Sequence, residues 1–529
     1  MPTLNWIGKD AVINHHNDVK FRTLEKKYAF GGEDSGNKII HGDNLEALKA
    51  LLPEYEGRIK CIYIDPPYNT GNENWVYNDN VNSPRIRKWL GQVVGKEAED
   101  LTRHDKWLCM MYPRLKLLQK LLSDDGAIFI SIDDIEQANL KLICNEIFGK
   151  NNFIAQAIWE RAYAPVNLKK HFSESHDYII VYANNIDKLV CNGLPRTAEA
   201  NERYANPDND PRGVWKAADC SVGPVVQEKV YEIELPSGRK VLPSRGRCWV
   251  YTKERFAEMV ADNRIWFGCD GNSVPAVKKF LSEVKQGITP MTIWKYTEVG
   301  HSQDATKKLK EIFDGKAVFD YPKSVDLIKR CLELYSNKDS IILDSFAGSG
   351  TTAHAVLNLN KQDGGKRKFI LVEMEDYAEN ITAERVRRVI DGYGEGDKTV
   401  EGTGGSFSFY ELGETVFEDN GYLNESVGTE KLREYVWYTE TNVPYNRRGA
   451  SNANNAKAAQ YLLGNNNGTA YYFYYEPKEI TTLDKAFLNT ITDKAEQYVI
   501  YADNCLLTEE FMQLNHIIFK KIPRDIKKL

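Results

Sequence analysis

The stretch SIILDSFAGSGTTAHAV, residues 340–356, decides the fold class. An apolar run ends on Asp344, a turn of small residues carries Phe346, Gly348 and Gly350, and a helix opens on Thr351 and Thr352. Glycine lets a backbone come close to a ligand, and the first turn of a helix presents unpaired N–H groups. The next apolar run, KFILVEME (368–375), carries Glu373 at its end, where an acidic side chain can bind ribose hydroxyls. The lysine of a phosphate-binding loop and the third glycine of a dinucleotide fingerprint are both missing, so phosphate is the less favoured ligand.

Working outward, the same alternation recurs. KIIHGDN (38–44), LEALKALL (45–52) and RIKCIYID (58–65) read as strand, helix and strand. MYPRLKLLQKLLSDDGAIFISID (111–133) reads as helix then strand, with Leu115, Leu118, Leu121 and Leu122 at helical spacing. LKLICNEIFGK (140–150), SHDYIIVYA (175–183) and VDLIKRCLELY (325–335) continue it. Such repetition predicts an α/β fold with a doubly wound, mostly parallel sheet.

Between Asn184 and Asp314 the alternation stops, and NPDNDPRGVW (206–215), LPSGRKVLPSRGRCWVYTKER (235–255) and ADNRIWFGCDGN (261–272) suggest an inserted domain. The expected layout is an N-terminal extension over 1–36, sheet halves over 37–183 and 315–395, the insert over 184–314, and a small α+β C-terminal domain over 396–529. A Gly-rich spacer, VEGTGGS (400–406), precedes the short strands of that last domain, the first of them SFSFYEL (406–412).

Composition bounds the rest. A chain of 529 residues, 42% hydrophobic and 27% charged, fits two or three domains. The opening residues lack a basic start followed by an apolar run, and no stretch reaches a membrane-spanning length, which predicts a cytoplasmic protein. Nine scattered cysteines and the histidines His104, His171, His176 and His301 show no zinc spacing, so no metal is expected. A formal charge of -6 gives no global attraction to nucleic acid, so any such surface must be local.

The second chemical motif is IDPPYNTG (64–71). Asp65 ends a strand, and a residue before proline favours extended backbone, which aims the motif into the crevice where open α/β sheets bind ligands. The Asp65 carboxylate can accept one N–H of an amino group, the Pro66 carbonyl the other, and Tyr68 can stack on a flat ring. With an ordinary pKa of about 3.9, aspartate is a weak base, which suits an orienting and electrostatic role. A plain strand-ending turn is the alternative, and Asn69 and Gly71 read as shaping that turn.

Asp65-Pro66-Pro67-Tyr68, the long insert, then Phe346-Ala347-Gly348-Ser349-Gly350 is an order that resembles the amino-group DNA methyltransferases of the β class. The resemblance implies a circularly permuted Rossmann-like core that methylates N6 of a flipped adenine, with Asp65, Pro66, Pro67 and Tyr68 catalytic. It implies S-adenosylmethionine held by Asp43, Asp65, Asp344, Phe346, Gly348, Gly350 and Glu373, with Thr351 and Thr352 at the helix start. Lys323 is a further expected cofactor contact, although Ser324 stands where the family's Lys-Pro pair has proline. The aspartate in the motif favours adenine over N4 of cytosine.

IHGDNLEALKALL, YIDPPYNTGNENWVYND, GRCWVYTKE and FLSEVKQGITPMTIW are similar to the modification subunits of type III restriction-modification systems. That likeness implies a homodimer acting on double-stranded DNA and able to join an ATP-dependent restriction subunit; a solitary methyltransferase and a non-catalytic DNA-binding module stay open. Lys169, Lys170, Arg245, Arg247 and Lys253, near Tyr163, Trp215, Trp249 and Tyr251, are expected to contact DNA. Lys278, Lys279 and Lys285 in VKKFLSEVKQ read as one face of an amphipathic helix.

Overall fold

The computed structural model describes residues 3–32, 36–70, 88, 91–94, 102–165, 167–168, 170–196, 201–284, 287–418, 420–445 and 457–522. It forms two compact units, one of Met1–Cys191 with Met291–Leu529 and one of Asn192–Pro290.

The first unit is built on a ten-stranded sheet. Its strands are β1 (Arg22–Phe30), β2 (Lys38–His41), β3 (Ile59–Ile64), β4 (Leu122–Ile132), β5 (Phe153–Glu160), β6 (His176–Ala183), β7 (Ile293–Trp294), β8 (Ile341–Asp344), β9 (Lys368–Glu373) and β10 (Phe407–Thr415). They lie in the order β1-β10-β2-β9-β8-β3-β4-β6-β5-β7. The run from β10 to β4 is parallel, β5 and β7 are parallel to each other, and β6 is antiparallel to both of its neighbours.

Parallel strands covered on both faces are apolar throughout, and Cys61–Ile64 and Phe369–Val372 are accordingly buried. Four of the helices packed on this sheet are α1 (Asn44–Tyr55), α2 (Arg103–Leu121), α3 (Val325–Tyr335) and α4 (Thr351–Asp363). Asp43 caps α1 by accepting from the amides of Leu45 and Glu46, and a Thr102/Asp105 capping box opens α2. Ile62, Ile64, Leu115, Leu118, Ile130, Leu343 and Ile370 share one core.

Register makes the crevice. Leu343 pairs with Ile62 and Asp344 with Leu371, so β3 and β9 both run on past the end of β8. The central strand stops short, and the turn 345–350 fills the gap between Asp65 and Glu373.

The boundaries differ from the expected ones. Ile293–Trp294 joins the main sheet as β7, and the compact insert is Asn192–Pro290 rather than 184–314. Ser406–Leu412, expected to open the C-terminal domain, lies largely in β10, which pairs with β2 and with β1 of the N-terminal extension. Tyr28 of β1 stacks on Phe409 of β10 at 5.2 Å, so aromatic packing joins the N-terminal extension to this edge of the sheet. After it, the helix Thr429–Thr441 and a four-stranded sheet share a separate core that includes Leu432, Tyr435, Phe473 and Tyr501.

In the insert, Ala276–Phe280 is a strand paired with Trp215–Asp219, not the helix expected of VKKFLSEVKQ; Lys285 lies outside the described residues. Lys278 is buried, 1% exposed, where its ammonium pairs with Asp208 and with Asp210 at 3.2 Å and lies 5.2 Å from the Trp215 ring. Arg212 grips Asp210 with two 2.8 Å hydrogen bonds, which hold that carboxyl well below its usual range. Removing one partner of a buried ionic network leaves the rest uncompensated. Asp210→Ala is therefore expected to destabilise the insert by about 3 kcal/mol, read as a lower midpoint in urea unfolding followed by tryptophan fluorescence.

Candidate active site

Asp65 follows β3 directly, and its turn is fastened from α2 and beyond. The Trp107 indole N–H donates to the Pro67 carbonyl at 2.6 Å. Asn69 adopts the left-handed region at φ 61° and is buried, and its amide donates to Glu136 at 2.5 Å and to the Arg103 carbonyl at 3.3 Å. Glu136, fully buried, also meets His104 Nδ1 at 2.6 Å and accepts from Asn139 at 2.8 Å. A buried carboxylate with several donors fixes the conformation of what it holds, here the turn that presents Tyr68.

The Tyr68 hydroxyl lies 3.5 Å from Asp177 Oδ2, and Arg161 Nε lies 2.8 Å from the other oxygen of Asp177. Burial pushes Asp177 up against the pull of Arg161 and Lys323. Burial also pushes the Tyr68 phenol well up, so it stays a hydroxyl. Both oxygens of Asp65 accept from the Lys323 ammonium, at 2.7 and 2.6 Å.

Beside this turn, the Asp344 carboxylate accepts from the Phe346 amide at 3.0 Å and from the Thr352 hydroxyl at 2.5 Å. Glu373 accepts from the amides of Gly348 at 2.7 Å and Glu375 at 3.0 Å. Burial raises both carboxyls to about 7. Gly350, at φ 81°, starts α4, and a Cβ there would meet the Thr382 carbonyl oxygen at 3.1 Å, so its smallness serves helix packing.

These groups surround a cleft of about 930 Å³, open solvent at its mouth included. Of the expected residues, Asp65, Pro67, Lys323, Asp344, Phe346, Gly348, Thr351, Thr352 and Glu373 line it. Pro66, Tyr68 and Gly350 flank it without lining it, and Asp43 is turned to capping α1. Its neighbour Asn44 lines the cleft instead, accepting from buried Arg114 at 2.5 Å and donating to the Ser345 carbonyl at 3.2 Å. Arg114, Phe319 and Tyr377 are further lining residues that the sequence reading missed.

Among the basic residues expected to contact DNA, Lys170, Arg245 and Lys253 are exposed, and Lys169 lies outside the described residues. Arg247 is exposed but already engaged, with Asp219 at 2.7 Å and the Ser221 hydroxyl at 2.9 Å. No metal-binding group of acids, histidines and cysteines occurs among the described residues.

A family profile described as DNA methylase matches residues 59–384, which span both motifs and the insert between them. The chain belongs to the DNA methylase family. Among relatives, the chain is 36% identical over 388 residues to the StyLTI Mod subunit of a type III restriction-modification enzyme of Salmonella typhimurium, covering 71% of this chain and 57% of that one. It is 34% identical to the EcoPI Mod subunit of Escherichia phage P1, covering 71% and 64%. With the type II methyltransferase M.KpnI of Klebsiella pneumoniae the identity is 33%, over 67% of this chain and 85% of the relative. The chain thus spans 57% to 64% of the length of these two type III relatives. A solved PvuII DNA methyltransferase, described as cytosine-N4-specific, is 11% identical at a TM-score of 0.34, with 66% of this chain and 86% of that one covered.

The residues fit S-adenosylmethionine, with an acid at the end of β9 for a ribose and a close-approaching backbone turn after β8 for the remainder. A carboxylate accepting from hydroxyls does so best when ionised. Glu373 and Asp344 are raised above their unfolded values, so their contribution to the stability of the cofactor-free methylase is present below the ordinary carboxylate range and lost as pH rises through about 7. Affinity for S-adenosylhomocysteine should run the other way, tightening between about pH 6 and about pH 8 in calorimetric titrations. Glu373→Gln should remove most of that dependence and weaken binding by about tenfold.

Proposed function

We propose that this methylase transfers a methyl group from S-adenosylmethionine to N6 of an adenine turned out of double-stranded DNA. The observation that carries the reading is that Asp65, at the end of β3, and the Asp344–Gly348 turn, after β8, line one cleft. The adenine amine is a poor nucleophile because its lone pair is delocalised into the ring. Two acceptors aimed at its N–H bonds favour a pyramidal nitrogen whose lone pair faces the methyl donor. The Asp65 carboxylate serves as one acceptor. The Trp107 indole takes the Pro67 carbonyl, and the Pro66 carbonyl serves as the other. Tyr68, its hydroxyl beside Asp177, stacks on the purine, and its ring face stabilises the positive charge that develops on the amine. The cofactor supplies a methyl group made electrophilic by its sulfonium. The extra proton of the methylated nitrogen is acidic enough to pass to Asp65 or to water.

We infer further that the chain acts in the cytoplasm as the modification subunit of a type III system, as a homodimer able to join an ATP-dependent restriction subunit. Similarity to the StyLTI and EcoPI Mod subunits supports this, and among the described residues no helix is long and apolar enough to cross a membrane. Lys170, Arg245 and Lys253 are the proposed phosphate contacts. Similarity to the type II methyltransferase M.KpnI, most of whose length is covered, supports a second reading as a solitary methyltransferase outside a type III assembly.

Single-molecule sequencing of DNA from cells expressing the chain should report N6-methyladenine at one sequence. Asp65→Ala should lower methyl transfer to that site by at least about 10³-fold while S-adenosylhomocysteine still binds. Retained activity would overturn the mechanism, and N4-methylcytosine at the site would overturn the choice of base.

A further inference from the structure

One contact in the cleft has no part in the proposed transfer. The Lys323 ammonium donates to both oxygens of Asp65 and lies 4.8 Å from the centroid of the Tyr68 ring. Those are the groups assigned to the target base, Asp65 to hold its amine and Tyr68 to face its ring. An ammonium offers N–H donors as an amine does, and a cation over a phenol ring stands where a stacked base must lie. We propose that Lys323 is a place-holder for the target amine, seated on Asp65 and Tyr68 while no base is bound and displaced from both when the base enters.

The surroundings fit such exchange. Asp65 and Lys323 are 14% and 9% exposed, and Asp177 and Asp344 place further carboxyl groups close by, so an empty site gains from a counter-charge. During transfer the reverse holds. Positive charge grows on the amine beside Asp65, and an ammonium left in a poorly solvated cleft would oppose it. The backbone under the lysine is fixed by Pro322 and buried Ser324, at the start of α3, but its four-carbon stem can swing without moving that backbone. Lys323 was expected as a cofactor contact from its motif; its partner here is the catalytic carboxylate.

This inference rests on the adenine-methylase reading, and the test separates the two. The full chain is titrated with a duplex carrying its methylation site, 2-aminopurine replacing the base next to the target adenine so that the target keeps its N6 amine, in the presence of S-adenosylhomocysteine. The unsubstituted chain should raise the probe's fluorescence as the base leaves the stack; failure there overturns the adenine reading itself. Lys323→Met keeps the stem and removes the ammonium. It is expected to bind the probe at least about fivefold more tightly with a larger fluorescence rise, because a competing occupant no longer reduces the competent fraction. Its affinity for S-adenosylhomocysteine without DNA should change by less than about twofold, and Lys323→Arg, which keeps the ion pair, should show no gain. Equal or weaker probe binding by Lys323→Met overturns the proposal. So does a loss confined to S-adenosylhomocysteine affinity, which would make Lys323 a cofactor ligand. If Lys323→Met does not fold, Lys323→Leu, which likewise removes every N–H donor, carries the same comparison.

Discussion

The early end of β8 between two longer neighbours is the constraint on which the site depends. Asp344 pairs with Leu371 and Leu343 with Ile62, so β3 and β9 project beyond the central strand. That step creates the crevice, and each strand delivers a carboxylate to it: Asp65 from β3, Asp344 from β8 and Glu373 from β9. The order of these strands in the sheet is not their order in the chain, which is why motifs almost three hundred residues apart line one cleft. A shift of β8 would separate Asp65 from Asp344, because parallel register aligns the two strand ends.

Gathering acids in a buried place has an electrostatic cost, and the structure meets it differently at each one. Asp344 and Glu373 are satisfied by hydrogen bonds from backbone amides and, at Asp344, the Thr352 hydroxyl. Burial outweighs those bonds and pushes both carboxyls to about 7. Asp65 instead receives a full counter-charge from Lys323 at 2.6 Å. The difference fits the proposed mechanism. A carboxylate that must accept an amine has to present free oxygens, so its partner has to be one that can leave, and a flexible lysine leaves more readily than a backbone amide.

The fold class and the core of the site were legible because both depend on local chemistry. A strand ending in small residues before a helix, and an aspartate before two prolines, constrain their own backbone wherever they occur. What holds Tyr68 was not legible. Trp107, Glu136 and Asp177 lie far along the chain from the motif, and nothing in their own neighbourhoods marks them. Asp43 was legible only in part: its place in HGDN points to a ligand contact, and in the structure it caps α1 through the amides of Leu45 and Glu46 while Asn44 lines the cleft. VKKFLSEVKQ misled for a related reason. Lysine spacing looked helical, yet Lys278 is an interior residue of a strand whose charge is met by Asp208 and Asp210.

On the proposed reading, in which the insert contacts DNA, the burial of Lys278 bears on how it does so. Counting lysines and arginines there overstates the positive surface, because much of the charge is consumed within the unit. Lys278 and Arg212 are tied to Asp210, Arg264 to Asp262 and Glu283, and Arg247 to Asp219. These pairs set the shape of the insert and cancel much of its long-range field. Attraction to phosphate then falls to a few exposed cations such as Arg245 and Lys253 rather than to a basic face. A surface of that kind holds non-specific DNA weakly, so discrimination between sites has to come from contacts that only the correct sequence completes.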